Sequence, residues 1–469
     1  MSATLAAGAG TRTWWVLGVV VAAQFMFVVD AFIVNVAVPS IRADLQAGSG
    51  AVQGVIALYQ IAYAALVITG GRLGDIHGRK RIFVIGLIGF TVASLLCGVA
   101  PTIETLVLAR IAQGASAALM SPQVLATIHT LFTGPDRARA FGVFGIALGL
   151  GGGAGFLLGG WLITLDLAGT GWRMIFLVNG PIGLAIAIAA WRLMPDTRPQ
   201  RGLRLDVAGA TLLFLALTLL VGPVLVGQDA GWPWQLLPVV ALGLGLLAAF
   251  LRHERRVARD GGLPLIELDL LRDPVFRRGL VAACCLFGGN ISFYLLVTLF
   301  LQAGLRASPL QSGLCMVPLA LAFVVASRRG AAQVALHGVS ALVRGCMVQL
   351  AGLAALALVV SLLPAPPLPL LALVLAVFGA GQGLVMAPLF GAILGGVRHA
   401  HAGAGAGILT TAQQVANGAG VAVLGAVYGV AGGVGGDRTA MLVGIVLVAE
   451  AVIATAAALW LMRRAGTSG

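Results

Sequence analysis

The sequence predicts an all-α integral membrane protein with fourteen transmembrane helices. Three observations carry this. Apolar residues make up 59% of the chain and charged ones only 10%, with a mean hydropathy of +1.02, well outside the range of soluble domains. Apolar runs of about 20 residues, each long enough to cross a hydrocarbon layer of roughly 30 Å, recur from end to end. Basic residues collect in alternate connecting loops, as short loops on the cytoplasmic side do.

The first run, 14–36, follows Arg12 and contains Asp30 and Asn35. It is too long for the apolar core of a cleavable signal and reads as a first membrane helix. Runs at 51–71, 82–100, 103–128, 140–162 and 174–194 complete a group of six, closed by "RLMPDTRPQRGLRLD" (192–206). Two runs, 206–227 and 236–251, stand apart. Beyond the charged segment 252–278 come six more, at 279–301, 311–327, 341–362, 368–391, 405–428 and 440–462. The run at 236–251 is short and the Gly/Ala-rich stretch 402–407 blurs a boundary, so hydropathy alone also accommodates twelve or thirteen spans. The chain thus divides into an N-terminal six-helix bundle (1–200), two extra central helices with a charged linker (201–275) and a C-terminal six-helix bundle (276–469). Gly70 precedes His77-Gly78 by the same interval as Gly330 precedes His337-Gly338. That echo suggests parallel repeats, an arrangement in which secondary transporters place the substrate between the halves.

With both termini inside, only Arg42, Arg173, Arg306 and Arg438 face outward and Arg110 lies within a span. The net charge of +13 is then the positive-inside bias, aided by anionic lipid headgroups, and calls for no nucleic acid. A pump that hydrolyses ATP needs a glycine-rich loop ending in Gly-Lys, and the only lysine, Lys80, follows Arg79. "GLGGGAGFLLGG" (149–160) superficially suggests phosphate binding, but Gly151, Gly155 and Gly159 lie four apart on one helix face, the pattern of close helix packing. The five cysteines, Cys97, Cys284, Cys285, Cys315 and Cys346, fall in or at the ends of spans without ligand spacing and read as packing residues. Neither a metal nor a cofactor is expected. No convergent nucleophile and base appears, so the chain reads as a non-enzyme.

"GRLGDIHGRKR" (71–81) packs five basic residues and one carboxylate between the second and third runs. It closely resembles the signature turn of the major facilitator superfamily, Gly-x-Leu-Ala-Asp-Arg-x-Gly-Arg-Lys, matching at Gly71, Leu73, Asp75, Gly78, Arg79 and Lys80. "VVDAFIVNVAVP" (28–39), "LVLARIAQGASAA" (106–118), "WRMIFLVNGPIG" (172–183), "SPLQSGLCMVPLA" and "GAGAGILTTAQQVANGAGVAVLG" resemble segments of its fourteen-span drug:proton antiporters. The fifth-helix motif of that family ends Gly-Pro-x-x-Gly-Gly, whereas this chain reads Gly155-Phe156-Leu157-Leu158-Gly159-Gly160. Loss of the proline removes an expected helix distortion and leaves proton coupling and direction open.

The resemblance implies export of drugs or antibiotics at the plasma membrane by a monomer working with protons. A dedicated exporter of a metabolite such as a siderophore, lipid or self-made antibiotic, and an uncoupled facilitator, are the alternatives. It also implies that Gly71, Asp75, Gly78, Arg79 and Lys80 form a cytoplasmic gate. There Asp75 would meet the positive end of the span starting near Ser340, with Arg79 and Lys80 in water and headgroups. Ionisable groups within spans are costly and mark function. Asp30 can take up and release a proton or serve as an ionised packing partner, and Arg110 can modulate a carboxylate or pair with one structurally. Glu450 is a third coupling candidate, although the fold analogy places its helix outside the cavity. Glu104, Asp166 and His129 fall near span ends and are expected to be wet. Phe27, Gln113, Asn290, Phe293, Tyr294, Gln382 and Met386 fall on the first, fourth, ninth and twelfth helices, which line the family's cavity. Their rings, thioether and amides suit a small amphipathic organic substrate.

Overall fold

The computed structural model describes residues 10–196, 205–262, 264–395 and 402–466. Its helices are α1 (Thr11–Asp44), α2 (Ser49–His77), α3 (Arg79–Gly98), α4 (Ile103–Leu131), α5 (Gly134–Leu165), the single turn α6 (Met174–Leu177) running into α7 (Asn179–Leu193), α8 (Val207–Ala230) and α9 (Leu236–Arg259). They continue with α10 (Pro274–Leu299), α11 (Pro309–His337), α12 (Val339–Leu362), α13 (Leu368–Leu394) and α14 (Ala402–Gly466). Among the described residues, thirteen helical segments are long and apolar enough to cross a membrane. The last differs from the sequence expectation: runs 405–428 and 440–462 belong to one helical segment broken at Gly436, whose φ of 76° and ψ of 176° are non-helical. Glycine reaches that backbone region without the Cβ clash other residues meet.

Helix starts follow capping chemistry. Thr102 with Thr105 and Ser308 with Gln311 form capping boxes, and Asp206 and Asp273 cap α8 and α10. Each satisfies amide groups that a helix start leaves open. Unlike the predicted run, α9 continues past 251 through the charged stretch to Arg259.

Glycines set how closely the helices pack. On α5, Cβ atoms added at Gly155 and Gly159 would lie 2.9 and 3.0 Å from the carbonyl oxygens of Val29 and Ile33 on α1. The predicted packing face is therefore real. A second stripe, Gly149, Gly153 and Gly160, presses α5 against Val324, Ala320 and Pro309 of α11, whereas open space stands over Gly142 and Gly145 nearer the 71–81 turn.

The Gly70/Gly330 echo is also structural. Gly70 faces the carbonyl of Ala118 on α4 and Gly330 that of Leu384 on α13. Gly78 and Gly338, at φ of 95° and 58°, make the two corresponding turns. Between the halves, Gln414 donates to Gln60 at 2.8 Å and Thr411 to the Ala64 carbonyl at 3.3 Å, joining α14 to α2. Gln302 donates to the Val36 carbonyl at 3.0 Å. α8 lies beside α2, where Asp229 accepts from the Gly50 and Ala51 amides at the start of that helix and Gln228 exchanges hydrogen bonds with Gln53. α9 packs on α8 and is otherwise mostly exposed.

Candidate functional site

Asp30 and Arg110 are fully buried in the N-terminal half, on α1 and α4. Arg110 Nη1 lies 2.6 Å from Asp30 Oδ2 and 2.7 Å from Gln113 Oε1. Gln113 Nε2 in turn donates to Asp30 Oδ1 at 2.8 Å. The i, i+3 spacing of Arg110 and Gln113 puts both on one face of α4, so one turn of helix supplies a cation and an amide to the same carboxylate. The guanidinium also donates from Nε to the Val55 carbonyl at 3.1 Å and lies 3.9 Å from the Tyr59 ring centre. Hydrogen bonds and the cation–π contact offset part of the cost of burying charge.

Two partners escaped the sequence reading. Asn179 donates to Asp30 Oδ1 at 3.2 Å and to Ser94 Oγ at 3.0 Å, and Ser94 donates to the Phe176 carbonyl at 2.9 Å. Asn179 stands inside the quoted "WRMIFLVNGPIG", and an amide within an apolar run was the signal available. Glu450 does not join this cluster. It is exposed on the outer face of the second part of α14.

Besides Gln113, the predicted cavity residues fall into two groups. Phe27 stacks on Tyr63, centres 5.2 Å apart, and Tyr63 donates to Ser121, which donates to Gln24. In the C-terminal half, Tyr294 donates to Gln382 Oε1 at 2.6 Å and Gln349 to Asn290 Oδ1 at 2.5 Å. Phe293 lies 4.0 Å, centre to centre, from Phe378, and Met386 packs partly buried against the core. Asn290 Nδ2, Gln349 Oε1 and Gln382 Nε2 are buried without a partner.

Phe156, at the position of the motif proline, joins the halves. Its ring is 5.6 Å from Phe32 of α1 and 5.3 Å from Tyr294 of α10, and Phe32 is 5.5 Å from Tyr294. α5 runs unbroken through it, as the missing proline predicts.

The signature turn departs from expectation. Asp75 pairs with Arg79 at 3.2 Å, and among the described residues no bond links it to the start of α12. Nor are Arg79 and Lys80 left to water. Arg79 donates to the Ala126 carbonyl at 3.0 Å and to Thr130 at the end of α4, while Lys80 is 3.6 Å from Asp196 and lies over the Trp191 ring. The negative end of α4 attracts the cation of Arg79. Gly71 sits near Pro122, and Gly78 supplies the positive φ of the turn. Glu104, Asp166 and His129 are exposed, as their positions predicted.

Fold and site together define a polytopic helical transporter. The chain belongs to the Major Facilitator Superfamily, whose sequence profile matches residues 20–421. It is 40% identical to the "Probable actinorhodin transporter" of Streptomyces coelicolor over 89% of this chain and 72% of that one. It is 38% identical to the "Puromycin resistance protein pur8" of Streptomyces alboniger, over 89% and 82%. To the "Multidrug resistance protein Stp" of Mycobacterium tuberculosis it is 32% identical, over 86% and 73%. Among solved structures, a bacterial homolog of the human lysosomal transporter Spinster overlays with a TM-score of 0.68 at 15% identity, covering 98% of both chains. A proton dependent oligopeptide transporter does so with 0.66 at 17%, covering 97% of this chain and 100% of that one.

Proposed function

We propose that this chain exports organic drugs or antibiotics by alternating access and that protons moving through the Asp30 cluster drive it. The observation that carries the reading is the sealed Asp30–Arg110–Gln113 cluster, an acid held by a cation and two amides deep in one half. Protonating Asp30 would free Arg110 to turn toward the Val55 carbonyl and the Tyr59 ring, which already contact it. The proton state would thereby bias the packing of α1 against α4. One proton moving through about 150 mV releases roughly 3.5 kcal/mol, by proportion from about 2.3 per 100 mV. That sustains a gradient of a few hundred-fold, at about 1.4 kcal/mol per tenfold. The drug and antibiotic transport named for the relatives above supports the class of cargo.

Counting the break at Gly436 as a boundary yields fourteen crossings, with α8 and α9 as the pair added between bundles 1–200 and 276–469. In this reading the basic loops and both termini face the cytoplasm of a monomer in the plasma membrane. Residues 71–81 form a cytoplasmic gate, and the tight α5–α11 seam closes the outer side.

Of sixteen acidic residues, Asp30 and Glu450 lie deep within spans. Asp30 is engaged by three donors, and Glu450 faces outward. Near the rings of Phe293, Tyr294 and Phe378, three amides carry open polar atoms that are uncharged. This supports neutral aromatic cargo bearing carbonyl and hydroxyl groups over permanent cations.

Phe156 favours one second reading, an uncoupled facilitator, because it stands where the antiporter motif has proline. The test is collapse of an imposed pH gradient in inverted vesicles. Substrate-dependent proton release by the intact protein and not by Asp30→Asn supports antiport. Equal release by both removes Asp30 from the mechanism, and transport without proton movement establishes the facilitator.

A further inference from the structure

A second cluster of ionisable groups lies at the basic end of the added helices, far from the Asp30 site. Asp206 caps α8, its Oδ1 accepting from the Gly209 amide at 2.8 Å and lying 2.7 Å from His253 Nε2 of α9. Glu254, next along α9 and 0% exposed, accepts from the Ile266 amide through Oε2 at 2.8 Å. Each carboxylate therefore has one oxygen fixed by a backbone amide. Their other oxygens, Asp206 Oδ2 and Glu254 Oε1, are buried with no partner. Both point into the space left by Gly209, where an added Cβ would stand 2.5 and 2.8 Å from them.

Two carboxylate oxygens aimed at one buried spot repel unless a cation or a shared proton stands between them. Arg72 lies close enough to act on both carboxylates and donates to the Pro264 carbonyl. One nitrogen and two oxygens, the ligand atoms of His253, Asp206 and Glu254, lie within 4.8 Å of one another. A zinc-type ion takes such ligands at about 2.0–2.2 Å and completes a tetrahedron with water.

We propose that Asp206, His253 and Glu254 form a binding site for a divalent transition-metal ion of the zinc type. The ion displaces to water the proton shared by His253 Nε2 and Asp206 Oδ1, binds Nε2 and takes the open oxygens of both carboxylates. The amides of Gly209 and Ile266 orient the carboxylates, as outer-shell groups do at metal centres. Through Ile266 the ion ties the linker after α9 to the α8–α9 pair. Through Pro264 and Arg72 it ties that pair to the last turns of α2, beside the signature turn. The site stands apart from the transport reading and does not depend on it.

The test uses the full-length protein in detergent, with its affinity tag removed, stripped with EDTA and titrated with zinc alone. Bound metal, calorimetric affinity and thermal unfolding are read out. One equivalent bound, with a rise in Tm, is expected. His253→Ala, which removes a partly exposed ring, should weaken binding at least about tenfold, the loss that even an outer-shell partner causes. His129→Ala, at an exposed histidine, should bind like the parent. Glu254→Gln reports on the second ligand, with its elution profile as the check on folding. Absence of a Tm shift in excess zinc, or equal binding by parent and His253→Ala, overturns the site and leaves the two carboxylates sharing a proton.

Discussion

Asp30 Oδ2 lies 2.6 Å from Arg110 Nη1, and neither residue is exposed to solvent. Removing one member of a buried pair strands the other, at a cost of about 3–5 kcal/mol. Asp30→Asn, which keeps the shape but strands a guanidinium that cannot shed its charge, should therefore lower thermal stability sharply in detergent, and Arg110→Ala, which leaves a carboxyl able to take up a proton, less. Equal losses would make the cluster purely structural, and a proton-flux assay on Asp30→Asn would then show transport intact.

Asn179 links the cluster to Ser94 and, through it, to the Phe176 carbonyl. Asn179→Leu leaves Asp30 Oδ1 one donor short and Ser94 without its donor, at about 1–3 kcal/mol for an unmet buried group. Proton-driven uptake into inverted vesicles should fall while substrate binding persists. Unchanged uptake would place Asn179 outside the coupling cluster.

Phe156 touches Phe32 within its own half and Tyr294 across the halves. Phe156→Ala removes both ring contacts and leaves a cavity, for which core phenylalanines lose about 3–5 kcal/mol. Because the lost Tyr294 contact joins α5 to α10, labelling of a cysteine introduced at Gln302 should speed up relative to the parent background. Labelling at the parent rate would mean that the α5–α11 glycine seam alone holds this end shut.

Glycine positions on α5 separate packing from mere flexibility. Gly155→Ala pushes a methyl group to 2.9 Å from the Val29 carbonyl, and overpacking of this kind costs about 1–3 kcal/mol. Gly142→Ala meets open space and should be neutral or stabilising by up to about 1 kcal/mol, the helix-propensity gain. Thermal unfolding of the two variants side by side decides it.

Glu450 is exposed on the outer face of α14, so Glu450→Gln should leave proton-coupled uptake at the parent level. A loss of uptake with folding intact would return Glu450 to the coupling path and would require α14 to present a different face during the cycle.

The order of residues is enough to establish that the chain is helical, membrane-spanning and a member of its superfamily. Run length, charge placement and the 71–81 turn are properties read along the chain. It also singled out Asp30, Arg110 and Gln113, because a charged or amide group in an apolar span is costly enough to stand out. Tertiary structure decided which way each side chain faces. A membrane helix is apolar on every side, so hydropathy cannot separate the inner face from the outer, and Glu450 and Asp30 look alike until the packing of α14 and α1 turns one outward and seals the other in. For the same reason Asn179 and Phe156 acquired partners only in three dimensions. Asp206 meets His253 and Glu254 because the antiparallel return of α9 along α8 brings together residues nearly fifty positions apart, a proximity set by helix packing and not by spacing in the chain.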